Sequence, residues 1–249
     1  MATAPLRTSR VRPESRTFVT PKASYGETTT ALAIRTCVSN MGTENRLYRN
    51  NRDGSFTDVA SKLGVTRPIV GFPAWFWNYD NDGALDLFVA AYGTVNRPDV
   101  ADVAASYLNM RHRADLMRLY RGTGQGEFVD VTAEQRVTRV TLAMGANFGD
   151  LDYDGFPDFF LGTGYPLYEG VVPNVMYHNR RGGGTDVTTA GGFGHLQKGH
   201  GVVFADLDND GDQDVFEQIG GAYPGDAFGT RCSRTRDSAT TGSRSGSSA

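Results

Sequence analysis

Three nine-residue segments repeat a spacing of oxygen-bearing side chains that suits a hard divalent cation. Positions 1, 3, 5 and 9 are Asn78, Asp80, Asp82 and Asp86 in the first, and Asp150, Asp152, Asp154 and Asp158 in the second. In the third they are Asp206, Asp208, Asp210 and Asp214. Gly83, Gly155 and Gly211 hold position 6, where a Ca²⁺ loop turns sharply, and position 7 (Ala84, Phe156, Asp212) is expected to offer its backbone carbonyl. Oxygen ligands without His or Cys favour Ca²⁺ over a transition metal. Mg²⁺ fits less well, because it demands tight octahedral geometry and keeps its waters. One such Asp/Asn/Gly cluster is commonly a plain turn. Three in one frame, each crowding carboxylates that repel unless a cation sits among them, point to metal loops. Asn78 leaves the first loop one charge short, at a cost in affinity.

The loops need strands to hold them. Short apolar runs precede them at Phe72–Trp77, Ala143–Phe148 and Gly201–Ala205, and Leu87–Ala91, Phe159–Leu161 and Val215–Phe216 follow. Their aromatic and β-branched content reads as buried strand, so the unit is strand, loop, strand, and not the helix–loop–helix of an EF-hand. The unit belongs to a longer repeat. Leu47-Tyr48-Arg49 recurs as Leu119-Tyr120-Arg121, Phe56 as Phe128, Asp58-Val59 as Asp130-Val131 and Asn78 as Asp150, all at an offset of 72. A third, looser copy runs from Val175 through Asp186-Val187 to Asp206. Asp53-Gly54 between Asn45–Asn50 and Ser55–Ala60 predicts a hairpin. Several short strands per repeat in a chain with 31 Gly predict propeller blades.

The Asn-x-Leu-Tyr-x-Asn and Asp-Gly-x-Phe-x-Asp-Val pattern at 45–59 joins the three Asp loops, Gly194–Gly201 and Gly220–Phe228 in a further likeness. Together they resemble the FG-GAP/VCBS repeat proteins, in the branch with a C-terminal ASPIC/UnbV domain that includes the cartilage acidic protein relatives. The resemblance covers residues 38–228. It implies an all-β, partial β-propeller of the integrin-α type with Ca²⁺ in the blade loops. It also implies a secreted or cell-surface setting and adhesion or ligand binding to a protein or glycan.

Pro98–Tyr120 does not fit a blade. Val100, Val103, Ala104, Tyr107, Leu108, Leu116 and Leu119 fall near helical spacing, predicting one inserted amphipathic helix packed on the rim. Charge is uneven: residues 39–228 carry 15 basic against 25 acidic residues, and twelve carboxylates lie in the three loops. So acidic a middle excludes nucleic acid as partner, and no apolar run is long enough to span a membrane. No signal peptide is visible.

The organisation expected is a poorly ordered or mis-framed segment 1–38, repeats over 39–228, and a disordered tail 229–249 with no packing pattern. Read one frame over, the degenerate codons of the tail permit the continuation typical of ASPIC/UnbV relatives, so a frameshift is inferred near Gly229. The same operation on Tyr25–Cys37 permits a fourth metal loop. Cys37 and Cys232 fall in these segments and carry no redox conclusion. Three units and part of a fourth fall short of a closed ring, so exposed strand edges are expected to promote association.

Catalysis has little support. His195, Lys198 and His200 on a Gly-rich stretch make no ligand or triad spacing and read as a turn into the strand at Val202. Gly182-Gly183-Gly184 lacks the Lys-Ser/Thr of a phosphate loop. Trp75 and Trp77, in strand register, are expected in the core. The chain therefore reads as a non-enzymatic Ca²⁺-binding propeller. The alternative is a Ca²⁺-dependent polysaccharide lyase or hydrolase on the same scaffold, distinguished by turnover of an acidic polysaccharide.

Overall fold

The computed structural model describes residues 16–19, 35–93, 100–165, 172–181, 183–196, 198–220 and 229–234. Four antiparallel sheets follow one another along the chain. The first is built from β1 (Arg16–Val19), β2 (Arg35–Asn40), β3 (Arg46–Asn50) and β4 (Phe56–Asp58), and a single helical turn, α1 (Ala60–Leu63), leads out of it. The second runs through β5 (Gly71–Trp77), β6 (Asp86–Ala91), then helix α2 (Val100–Tyr107), β7 (Arg118–Gly122) and β8 (Phe128–Asp130). The third holds β9 (Ala143–Gly149), β10 (Asp158–Thr163), β11 (Val175–Asn179) and β12 (Gly184–Asp186). The fourth comprises β13 (Gly199–Ala205), β14 (Asp214–Ile219) and β15 (Gly229–Ser233). Each sheet is an up-and-down meander, and successive first strands β1, β5, β9 and β13 touch one another. First strands therefore line the inside of a propeller-like arc and fourth strands its rim.

Blades stack through alternate strand residues. In the row Trp75, Phe88, Leu119, paired across β5–β6–β7, Trp75 stacks on Phe88 at 4.3 Å and meets Phe148 and Phe159 of the third blade. Leu87, Val89, Phe76 and Tyr120 point the other way, onto Cys37 and Leu47 of the first blade. Phe160 and Met176 pack likewise on Val202 and Val215 of the fourth. Full burial of such side chains contributes about 1.5–3 kcal/mol each, and Trp75 and Trp77 are both core, as expected. Closeness near the axis requires glycine at one point: a Cβ on Gly145 would overlap the His200 carbonyl oxygen of the next blade.

The repeat's Asn has a visible task. Asn45 Oδ1 accepts the Asn40 N–H at 2.9 Å and Asn174 Oδ1 accepts that of Thr163 at 2.8 Å, so each staples the turn between second and third strands. Met117 stands there in the second blade, where the chain instead inserts residues 92–117. The Asp53-Gly54 hairpin forms as expected between β3 and β4, with Tyr48 opposite Asp58.

Three expectations need correction. The helix predicted over Pro98–Tyr120 spans only Val100–Tyr107, because Asn109 turns left-handed (φ 53°) and the Met110 N–H bonds back to the Ala105 carbonyl at 2.7 Å. The tail taken as disordered from 229 starts as strand β15, in register with β14. Residues 35–38, assigned to the poorly ordered segment, belong to β2, with Cys37 and Val38 buried. The strand seen at β13 starts at Gly199, carrying His200 exposed while Lys198 is buried. Gly182, most of Gly220–Phe228 and the frame-shifted loop proposed before Arg35 lie outside the described residues. That last segment does fall between β1 and β2, the connection that carries the Asp loop in each other blade.

Candidate metal centre

Each Asp loop joins a blade's first strand to its second. Within it the backbone turns left-handed twice: at position 4 (Asn81, φ 58°; Tyr153, φ 53°; Asn209, φ 59°) and at position 6 (Gly83, 85°; Gly155, 88°; Gly211, 99°). Two such residues with one negative-φ residue between them curl the chain, and in the second and third loops the side-chain oxygens of positions 1, 3 and 5 converge. A Cβ on any of the three glycines would meet nothing within 4 Å, so the dihedral alone requires them.

The position 5 carboxylate fixes the curl by accepting the N–H of position 7. Ala84 donates to Asp82 at 2.7 Å, Phe156 to Asp154 at 2.8 Å and Asp212 to Asp210 at 3.1 Å. Position 1 accepts the glycine N–H in two loops, Gly155 to Asp150 at 2.9 Å and Gly211 to Asp206 at 3.2 Å. Carboxylate oxygens of Asp150, Asp152 and Asp154 converge within 4.8 Å of one another, and so do those of Asp206, Asp208 and Asp210. In the first loop Asp80, Asp82 and Asp86 do not form such a group among the described residues. There the Asn78 Oδ1 is buried and has no hydrogen-bond partner, an oxygen suited to a cation.

Position 9 behaves differently. Asp86, Asp158 and Asp214 are fully buried first residues of the second strand. Asp86 accepts the Tyr79 N–H at 2.9 Å and the Gly122 N–H at 2.8 Å. Asp158 accepts Leu151 at 2.9 Å and Asn179 at 2.7 Å, and Asp214 accepts Leu207 at 3.2 Å. Each thus ties loop position 2 to its own strand, and in two blades to the third strand as well. Burial pushes the Asp86 carboxyl up to about 7 and raises that of Asp158 too. A cation close by would oppose both shifts.

Position 3 faces a basic residue from the third strand or just beyond it. His178 Nε2 lies 2.9 Å from Asp152, and Arg234 bonds Asp208 at 3.2 Å. Arg121 exerts its charge on Asp80, whose carboxyl is raised by burial. His178 also groups with Asp152 and Asp158, giving the second loop a nitrogen donor that the search within the loops missed. Its signal was the repeat alignment, which sets His178 opposite Arg49 and Arg121. The positions 1, 3 and 5 oxygens fit a hard cation; among the described residues the second loop alone adds a softer ligand.

Among the described residues no helix is long and apolar enough to cross a membrane. A family model described as "FG-GAP-like repeat" matches residues 78–161 and 168–217. The chain is also 28% identical over 182 residues to cartilage acidic protein 1 of Mus musculus, an alignment covering 68% of this chain and 24% of that protein. It therefore spans about a quarter of the relative's length.

Proposed function

Because the chain belongs to the FG-GAP-like repeat family, we propose that it is a non-enzymatic propeller repeat protein whose 39–228 region binds Ca²⁺ in its blade loops and presents a ligand-binding surface. The supporting observation is that three loops, 72 and 56 residues apart, adopt one backbone course with left-handed residues at positions 4 and 6. Asn78, Asp80, Asp82, Asp150, Asp152, Asp154, Asp206, Asp208 and Asp210 supply side-chain oxygens. Ala84, Phe156 and Asp212 would add carbonyls, and Asp86, Asp158 and Asp214 close the loops. The ion supplies charge neutralisation: it holds together carboxylates that otherwise repel and stiffens the link between a blade's first and second strands. The FG-GAP-like repeat likeness supports a secreted or cell-surface setting and a protein or glycan partner. Unfolding of the whole chain with Ca²⁺ or with EGTA tests this. A transition raised by Ca²⁺ is expected, and identical curves would overturn it.

A further inference from the structure

The insertion in the second blade helps to build a cleft. Residues 106–116 form one wall of a cleft of about 600 Å³ whose other walls are the β8–β9 connection, at Arg136 and Arg139, and the outer strand β12. That volume is in the range of small-ligand sites.

Arg139 is held there from two sides. Its guanidinium lies over the Tyr107 ring, 4.1 Å from the centroid, and its Nε donates to Asp186. Its terminal nitrogens make no hydrogen bond among the described residues, so the outer edge of the fork is left for a ligand. A guanidinium stacked and anchored in this way has lost its freedom before anything binds, and it matches a carboxylate or sulfate in a two-pronged contact. Asp186 is the one carboxylate lining the cleft and is already paired, whereas Arg136 has no ion-pair partner among the described residues and His112 has a buried, unpartnered Nδ1. The cleft is thus positive on a chain whose loops are acidic. Thr138 and Thr185 add exposed hydroxyls on its walls.

We propose that this cleft binds an anionic saccharide, a sugar unit bearing a carboxylate or sulfate, with Arg139 as the anion-recognising residue and Arg136 as a second charge. The proposal rests on the reading of the chain as a binding propeller and specifies its ligand class and location.

Calorimetric titration of the full chain in millimolar Ca²⁺ tests it with three probes: trigalacturonate, a sulfated disaccharide and neutral galactotriose. Binding of at least one anionic probe is expected, with the neutral sugar at least about tenfold weaker. Arg139→Lys, which keeps the charge and loses the fork, should weaken binding about tenfold, and Arg139→Gln should weaken it further. Exposed Arg136→Gln guards against misfolding, since that side chain makes no hydrogen bond or ion pair among the described residues; it too should weaken the anionic probe. The two anionic probes distinguish a uronate from a sulfate ligand. Equal affinity for neutral and anionic sugars, unchanged binding in both Arg139→Gln and Arg136→Gln, or no binding of either anion overturns the cleft. If Ca²⁺ still raises the melting temperature in that case, the scaffold reading stands and this inference alone falls. Arginine-dependent binding of an anion supports the cleft whether or not Ca²⁺ shifts melting.

Discussion

Removing the position 9 carboxylate should destabilise the protein even without metal, which separates it from its neighbours in the loop. In Asp158→Ala the buried N–H of Asn179 and the half-buried N–H of Leu151 lose acceptors at 2.7 and 2.9 Å. An orphaned buried donor costs about 1–3 kcal/mol and a half-buried one less, so the sum is about 1–4 kcal/mol. Relief from burying a carboxylate whose pKa is raised trims this toward the lower half. Asp150→Ala also removes an acceptor of two N–H bonds, from Asp154 and Gly155, but both donors are exposed and water replaces it. Its cost should stay within about 0.5 kcal/mol. Urea unfolding in EGTA, followed by the fluorescence of buried Trp75 and Trp77, gives both free energies from the midpoint and slope. The expected order is Asp158→Ala well below Asp150→Ala, with Asp150→Ala near wild type. Equal stability of all three would refute the position 9 carboxylate as the clamp between loop and strands.

Two further outcomes follow from the packing. Burial pushes the Glu217 carboxyl up to about 7, against an ordinary value of 4.5, although Asn174 donates to it at 2.6 Å. With the folded value raised, its stabilisation is full below pH 4.5 and lost as pH rises through 7. The loss is on the order of 3 kcal/mol by pH 8. Glu217→Gln should remove that part of the pH dependence, and parallel stability–pH curves for the two proteins would contradict the assignment. Gly145→Ala, whose Cβ would overlap the His200 carbonyl oxygen, should cost about 1–3 kcal/mol or more by forcing β13 from β9; an unchanged midpoint in urea would mean the two strands are not so closely packed.

The blade order was legible because the repeat copies both its loop and its hairpin at one offset: Leu47 and Leu119 fill equivalent core positions, and Trp75 and Trp77 share one strand face while Phe76 takes the other. The Asp loops were legible as a spacing. Their positive φ at position 4 was not, since Tyr153 carries no turn signal of the kind Asn81 and Asn209 do; the loop's curl overrides its preference. Nor does a one-dimensional pattern distinguish Asp158 as clamp from Asp150 as exposed ligand, because burial depends on where the third strand passes. The Arg139–Tyr107–Asp186 cluster was invisible for the same reason: Arg139 stands 32 residues from Tyr107 and 47 from Asp186 in sequence. The insertion misled because its apolar spacing continues past Asn109, where the chain leaves the helix.

The most direct test of the central claim is thermal unfolding of the intact chain in millimolar Ca²⁺ and again in EGTA with Mg²⁺. At a concentration one hundred times the dissociation constant, each occupied site adds about 2.7 kcal/mol to the folded state, so even one filled loop gives a shift of several degrees. A single cooperative transition that rises with Ca²⁺ and not with Mg²⁺, and loses part of its rise in Asp152→Asn, is the expected result. Superimposable curves in the two buffers would mean that the three Asp segments are turns and that no ion holds these blades.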